Sequence, residues 1–151
     1  VRVLSGNILD VPRGYICHVV NLGGAFGAGL AGQIRRRWPA AYLGYKARFR
    51  AQPLGSYWTV EVERGLHVAH LAAMEKPGAH VDYVALQEAL THLREDVIDG
   101  AGEPSALTGT VLLPPLHIPW GMGCGIGKGD WKVVQRILNL VAPEAIVWRR
   151  S

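Results

Sequence analysis

The 151-residue sequence predicts an α/β protein, a three-layer α/β/α sandwich with a central mixed β-sheet, in a single domain spanning 1–151. Three observations carry that expectation. Apolar runs of strand length alternate with stretches of helical periodicity along the chain. The run 15–20 is almost continuously apolar, as a strand covered on both faces would be. Two glycine-rich loops, 21–32 and 121–129, each follow such a strand and precede such a helix.

Residues 1–5 read as a short strand and 6–10 as the turn after it. The second strand is 15–21. Its loop opens into a helix from about Gly29 to Trp38, stopped by Pro39, whose ring disfavours helical backbone in the residue before it. A second helix over 40–50 leads to a turn at 53–55. Residues 56–63 alternate and suit a strand, and Arg64-Gly65 turns into a partner strand, 66–73. Lys76-Pro-Gly78 breaks the chain before a helix over 82–98, where Val84, Leu86, Leu90, Leu93 and Val97 fall at near-helical spacing. The polar loop 100–109 precedes a strand beginning over 110–113. Gly129-Asp-Trp131 opens the last helix, with Asp130 at its N-terminus; Pro143 ends it, and 144–150 is the final strand.

Composition narrows the function. Hydrophobic residues make up 49%, which suits a globular chain, and no apolar run approaches the roughly 20 residues that span a bilayer. No membrane association is expected, and no secretory leader is evident. Cys17 and Cys124 form neither a CxxC nor a disulfide framework, so a reducing cytoplasm is the expected location. His67, His80, His92 and His117 have no metal-ligand spacing; neither a metal nor a cofactor is expected. The net charge is +4, and the span 11–60 holds no Asp or Glu while carrying Arg13, Arg35, Arg36, Arg37, Lys46, Arg48 and Arg50. That span is either a solvated basic face or an attractor for an anionic ligand or polymer. Nucleic acid is the disfavoured partner, because the basic residues are not interleaved with the aromatics of a single-strand platform.

The glycine loops suggest the ligand. Five glycines between Gly23 and Gly32 let a ligand approach main-chain N–H groups, with the positive end of a helix behind them. Such a site suits a diphosphate. Gly27-Ala-Gly29-Leu-Ala-Gly32 formally matches a dinucleotide-binding fingerprint, yet no acidic residue follows before Glu61 to hold a ribose. The second loop is no P-loop: Met122 stands at its first glycine and Gly129 at its magnesium-binding hydroxyl residue.

Gly6-Asn-Ile8, His18-x-x-Asn21 with Gly27-Ala-Gly-Leu-Ala31, and Pro119-Trp-Gly-Met-Gly-Cys-Gly125 with Gly129-Asp-Trp131 resemble the macro domain family. The resemblance spans essentially the whole chain. It is greatest to the branch holding the terminal ADP-ribose protein glycohydrolases, the ADP-ribose-1″-phosphate phosphatases and related phage proteins. It implies ADP-ribose or an ADP-ribosylated substrate as partner. Asn7, where the family usually has Asp, and Ile8 would sit at the adenine. The first loop, with Gly24, Gly27, Ala28 and Gly29, would hold the distal ribose and part of the diphosphate. Gly123, Cys124, Gly125, Ile126 and Gly127 would cover the diphosphate through backbone N–H groups. Trp148 is either an aromatic beside the adenine or an ordinary core residue.

The resemblance is weaker at the catalytic positions. The glycohydrolase branch uses a Lys and an Asp, and this chain has Met74 and Gly127 in those places. Lys76 and Asp130 are displaced by two or three residues, and a two-residue slip is roughly 6–7 Å along a strand. A lysine-nucleophile mechanism is therefore not expected. The catalytic candidates are His18, where the phosphatase branch also has His, and Asn21, which would hold the distal ribose beside it. A core His bonded to backbone is the alternative for His18. Whether His70 faces the same cleft is left open. Two functions follow: hydrolysis of ADP-ribose-1″-phosphate or an ADP-ribosyl ester, preferred because the branch is mostly hydrolytic, or a non-catalytic ADP-ribose reader. The chain is expected to be monomeric.

Overall fold

The computed structural model describes residues 1–102 and 104–150; position 103, within the expected 100–109 loop, and position 151 lie outside the described residues. The elements run β1 (Arg2–Ser5), β2 (Gly14–Asn21), α1 (Gly29–Arg37), α2 (Pro39–Arg48), β3 (Tyr57–Glu63), β4 (Leu66–Met74), α3 (Tyr83–Gly100), β5 (Leu116–Pro119), α4 (Trp131–Val141) and β6 (Ile146–Arg149). Short 3₁₀ turns follow β1 and α2, at Ile8–Asp10 and Phe49–Ala51. The strands form one sheet in the order β1-β6-β5-β2-β4-β3. Every neighbouring pair is parallel except β3 with β4, so the sheet is mixed.

Helices cover both faces. Ile34 of α1 and Ala41 and Tyr45 of α2 pack with Ile16, Val20, Val68 and Ala72 on one side. Leu86, Leu90 and Leu93 of α3 and Val134, Ile137 and Leu138 of α4 pack with Cys17, Ala69, Leu71 and Ala73 on the other. Successive β4 residues thus serve opposite cores, which is why that strand reads as a continuous apolar run. Local chemistry sets the helix ends. Trp38 closes α1 through its N–H to the Ile34 carbonyl, and Pro39 occupies the first turn of α2, where no amide donor is missed. Asp82 caps α3 by accepting from the Ala85 amide, 2.9 Å away.

The strand expected over 110–113 does not form. Residues 110–115 are irregular, Leu112 is 82% exposed, and β5 lies at Leu116–Pro119 instead. The reason lies in Pro114 and Pro115, which have no N–H to give a ladder. Pairing begins after them, where Leu116 and His117 align with Tyr15 and Ile16 of β2.

This topology creates a site. β2 and β5 are neighbours, yet the chain leaves β2 for the α1/α2 face and leaves β5 for α4 on the opposite face. Where adjacent parallel strands send their connections to opposite sides, a crevice opens beyond their carboxyl ends.

Candidate functional site

Both glycine loops line that crevice, whose volume is about 560 Å³. Ala25 to Ala31 form one wall; Pro119 to Gly123 and Gly125 to Gly127 form the other. His18, Val19, Val20, Asn21, Met74 and Pro77 complete the lining.

The first wall is shaped by Asn21. Its Oδ1 accepts from the amides of Gly23 (3.0 Å) and Ala25 (3.2 Å), and its Nδ2 donates to the Ala25 carbonyl (2.9 Å). Tyr45 fastens the loop from α2: its hydroxyl donates to the Asn21 carbonyl at 2.6 Å and accepts from the Gly24 amide at 3.1 Å. Gly29, in the left-handed region at φ +56°, then turns the chain into α1. Ala28 gives α1 no side-chain cap, so the helix presents its first amides uncovered. Among the described residues, the amides of Phe26, Gly27 and Ala28 likewise find no protein acceptor.

The second wall is a series of backbone turns. Met122, Cys124, Lys128 and Gly129 donate to the carbonyls of Pro119, Gly121, Gly125 and Gly123. The amides of Gly125, Ile126 and Gly127 have no protein acceptor among the described residues. A Cβ on Gly127 would lie 2.6 Å from the Gly123 carbonyl oxygen, so no side chain fits there without moving backbone. The helix behind this loop offers less than the sequence suggests, because Asp130 caps α4 by accepting from the Lys132 amide at 2.9 Å.

Under the first wall lies an imidazole pair. His18, 3% exposed, and His70, wholly buried, are register partners on β2 and β4, with His18 Nε2 2.7 Å from His70 Nδ1. Burial, and then the neighbouring ring, push the His18 pKa well below the usual imidazole value. Burial pushes His70 down to about 3, opposed in part by the Ala41 backbone. Both rings are therefore neutral at neutral pH. His18 is not the backbone-bonded core histidine of the alternative reading.

The remaining expected residues divide. Asn7, Ile8 and Trp148 share a groove with Leu30, Pro119 and Trp120, which also line the crevice and so join the two spaces. Asn7 Oδ1 is taken by the Leu9 amide (3.0 Å), leaving its Nδ2 free, and Trp148 gives its indole N–H to His117 Nδ1 (2.9 Å). Gly24 and Cys124 do not line the crevice. Gly24 packs its α-carbon towards Phe49 and gives its amide to Tyr45. Cys124 gives its amide to Gly121 and points its thiol at the Met122 carbonyl, 3.4 Å away. Burial, and then Asp130, raise that thiol's pKa, so it offers no thiolate. Asn21 lines the crevice, and its side-chain amide shapes the loop with one N–H left over. Met74 and Gly127 line the crevice; Lys76 and Asp130, both exposed, do not.

Three side chains escaped the sequence reading. Phe26 meets the His18 ring edge-on at 5.3 Å between centroids, and Tyr45 braces the loop. Trp120, 38% exposed under the Arg149 guanidinium, stands where the two spaces meet. Two of them had a sequence signal, Phe26 inside the first glycine loop and Trp120 immediately before the second. Among the described residues no group of three or more His, Cys, Asp or Glu could hold a metal ion, and no helix is long and apolar enough to cross a membrane.

No protein-family model matches the chain. It is 29% identical over 147 residues to the 17.5 kDa protein of the tk-vs intergenic region of Enterobacteria phage T4, covering 92% of this chain and 88% of that one. The macrodomain of Mycobacterium tuberculosis DarG superposes with a TM-score of 0.77 at 20% identity, covering 99% of this chain and 95% of that one. Thermosipho africanus DarTG, solved in complex with ADP-ribose, gives 0.77 at 13% identity, covering 99% of this chain and 42% of that one. The fold is the macrodomain fold.

Proposed function

We propose that this chain, a macrodomain by fold, binds ADP-ribose in the crevice between its glycine loops and hydrolyses an ADP-ribose derivative, either ADP-ribose-1″-phosphate or an ADP-ribosyl ester. One observation carries the reading: residues with acceptor-free amides from two distant loops line one crevice, together with a neutral imidazole. Free N–H groups and an uncapped helix end suit a diphosphate. The same fold in a protein solved with ADP-ribose supports the choice of ligand. In this reading the adenosine runs past Leu30, Pro119 and Trp120 towards Asn7, Ile8 and Trp148, and the distal ribose reaches His18.

His18 then acts as general base. For the 1″-phosphate, the oxygen of a water bonds to phosphorus and its proton passes to the imidazole. The bond from phosphorus to the sugar oxygen breaks, and that oxygen takes a proton back. The loop amides stabilise charge on the phosphoryl group. Burial holds the ring neutral, with a lone pair to accept the proton, and at the same time lowers its basicity.

Calorimetry with ADP-ribose, followed by turnover assays on the 1″-phosphate and on an ADP-ribosylated ester peptide, tests the reading. His18→Ala should lower turnover by about 10²–10⁴ while the Kd for ADP-ribose changes by less than about threefold. Failure to bind ADP-ribose removes the proposal altogether. Binding without turnover decides for a reader, the second reading, which Met74 and Gly127 favour by lining the crevice where Lys76 and Asp130 do not.

A further inference from the structure

The groove that joins the crevice at Trp120 has a volume of about 340 Å³, and the 3₁₀ turn after β1 lies along it. Asn7 caps that turn, and the cap fixes which way its amide points. The Leu9 N–H can only donate, so the atom facing it at 3.0 Å is Oδ1. The other arm is Nδ2, whose two hydrogens find no protein acceptor among the described residues. An Asp in this position would offer a second oxygen there; this chain offers a donor.

The rest of the groove repeats that polarity. Gln33 Oε1 accepts from Arg150 Nη1 at 3.4 Å, which leaves the Gln33 Nε2 hydrogens uncommitted. Arg149, over the Trp120 ring at 4.6 Å from its centroid, brings donors alone. Four backbone carbonyls along the groove are occupied: those of Asn7, Pro119, Trp148 and Arg149 accept from the amides of Asp10, Met122, Trp120 and Gly6. No Asp or Glu lines the groove. Its side chains therefore hold out free donors, and as acceptors only the second lone pairs of two amide oxygens.

A purine answers that polarity at position 6. Adenine sets an N6 donor beside the N7 acceptor, and an amide reads the pair with its oxygen and nitrogen together. A 6-oxopurine sets two acceptors, O6 and N7, side by side, and donors read them. An adenine amine brought to Asn7 Nδ2 would put N–H against N–H and give up a bond to water for none. We propose that the groove selects a 6-oxopurine, hypoxanthine or guanine, over adenine, with Asn7 as the residue that sets the choice. The inference rests on the binding reading above, in which the base end of a diphosphate ribose ligand reaches Asn7.

Calorimetry with ADP-ribose and with inosine diphosphate ribose compares ligands that differ only at position 6 and in the N1 proton. The wild-type protein should bind the inosine compound about fivefold or more tighter. Asn7→Asp keeps an oxygen for the Leu9 amide, so the turn is retained, and puts a second oxygen where Nδ2 stood. It should reverse the order, making ADP-ribose the tighter ligand; the ratio of the two Kd values is read, so the added negative charge cancels. Equal affinities in the wild type, or tighter ADP-ribose, overturn the inference and leave the crevice as an ADP-ribose site. An order unchanged in Asn7→Asp also overturns it, because the selectivity then lies elsewhere; if that variant does not fold, the wild-type ratio decides. If neither compound binds, the binding reading falls and takes this inference with it, so the two failures are distinguishable.

Discussion

In the first glycine loop the side chains of Asn21 and Tyr45 take up the amides of Gly23, Gly24 and Ala25, whereas the second closes through backbone bonds from Met122, Cys124, Lys128 and Gly129. The helices behind them differ in the same sense. α1 begins without a cap, and α4 has its first turn served by Asp130. A loop tied by side chains keeps its helix end open to the crevice. A loop that folds on its own backbone leaves the next helix to be capped in the ordinary way and contributes amides alone. The first wall is therefore vulnerable where a side chain is removed, and the second where one is added.

Gly127→Ala should have the largest effect on that contrast. Its methyl group would meet the Gly123 carbonyl, and the neighbouring turn has no flexible side chain to give way. ADP-ribose affinity by calorimetry should fall about tenfold or more, about 1.4 kcal/mol. Unchanged affinity would mean the second wall takes no part in binding. Tyr45→Phe comes next. It keeps the ring in its stack on Phe49 but leaves the Gly24 amide and the Asn21 carbonyl without their partner, at a cost of about 1–2 kcal/mol in urea unfolding. A wild-type midpoint in Tyr45→Phe would show that side chains do not hold the first wall.

The smallest effect concerns acid. Titratable rings lie under the first wall and none lies in the second loop, so proton uptake should loosen only one side. The folded pKa values of His18 and His70 are depressed, while in the unfolded chain each imidazole titrates near about 6.5. Below that value the unfolded state binds more protons, so stability is full above it and declines as pH falls towards the folded values, about 3 for His70. Between about pH 7.5 and about pH 6 one such ring accounts for about 0.8 kcal/mol of the decline. Urea unfolding of His70→Asn at both values should show a fall smaller by that amount. An equal fall in both proteins would mean that His70 is not held neutral.

Much of the fold was legible because its punctuation is local. Pro39 separates two helices, Arg64-Gly65 turns a hairpin, and the apolar spacing of 82–98 marks α3. The strand expected over 110–113 failed because Val111, Leu112 and Leu113 look like a strand to any reading of hydrophobicity, while only tertiary pairing selects the four residues after the prolines. The site was legible as two glycine loops, since glycine reports what backbone must do. Which amides stay free was not legible. Gly24 is lost to Tyr45, twenty-one residues away, and the partner of His18 sits fifty-two residues on. Those distances are short only once β2, β4 and α2 have assembled.

The crevice has one wall rooted in each of the two hydrophobic cores, because β2 and β5 dispatch the chain to opposite faces of the sheet. A molecule gripped by both walls staples one half of the protein to the other. Its binding free energy then adds to resistance against unfolding, rising with the logarithm of its concentration above the Kd. Heating the protein against a panel of nucleotides would make the melting temperature itself the detector of what belongs there.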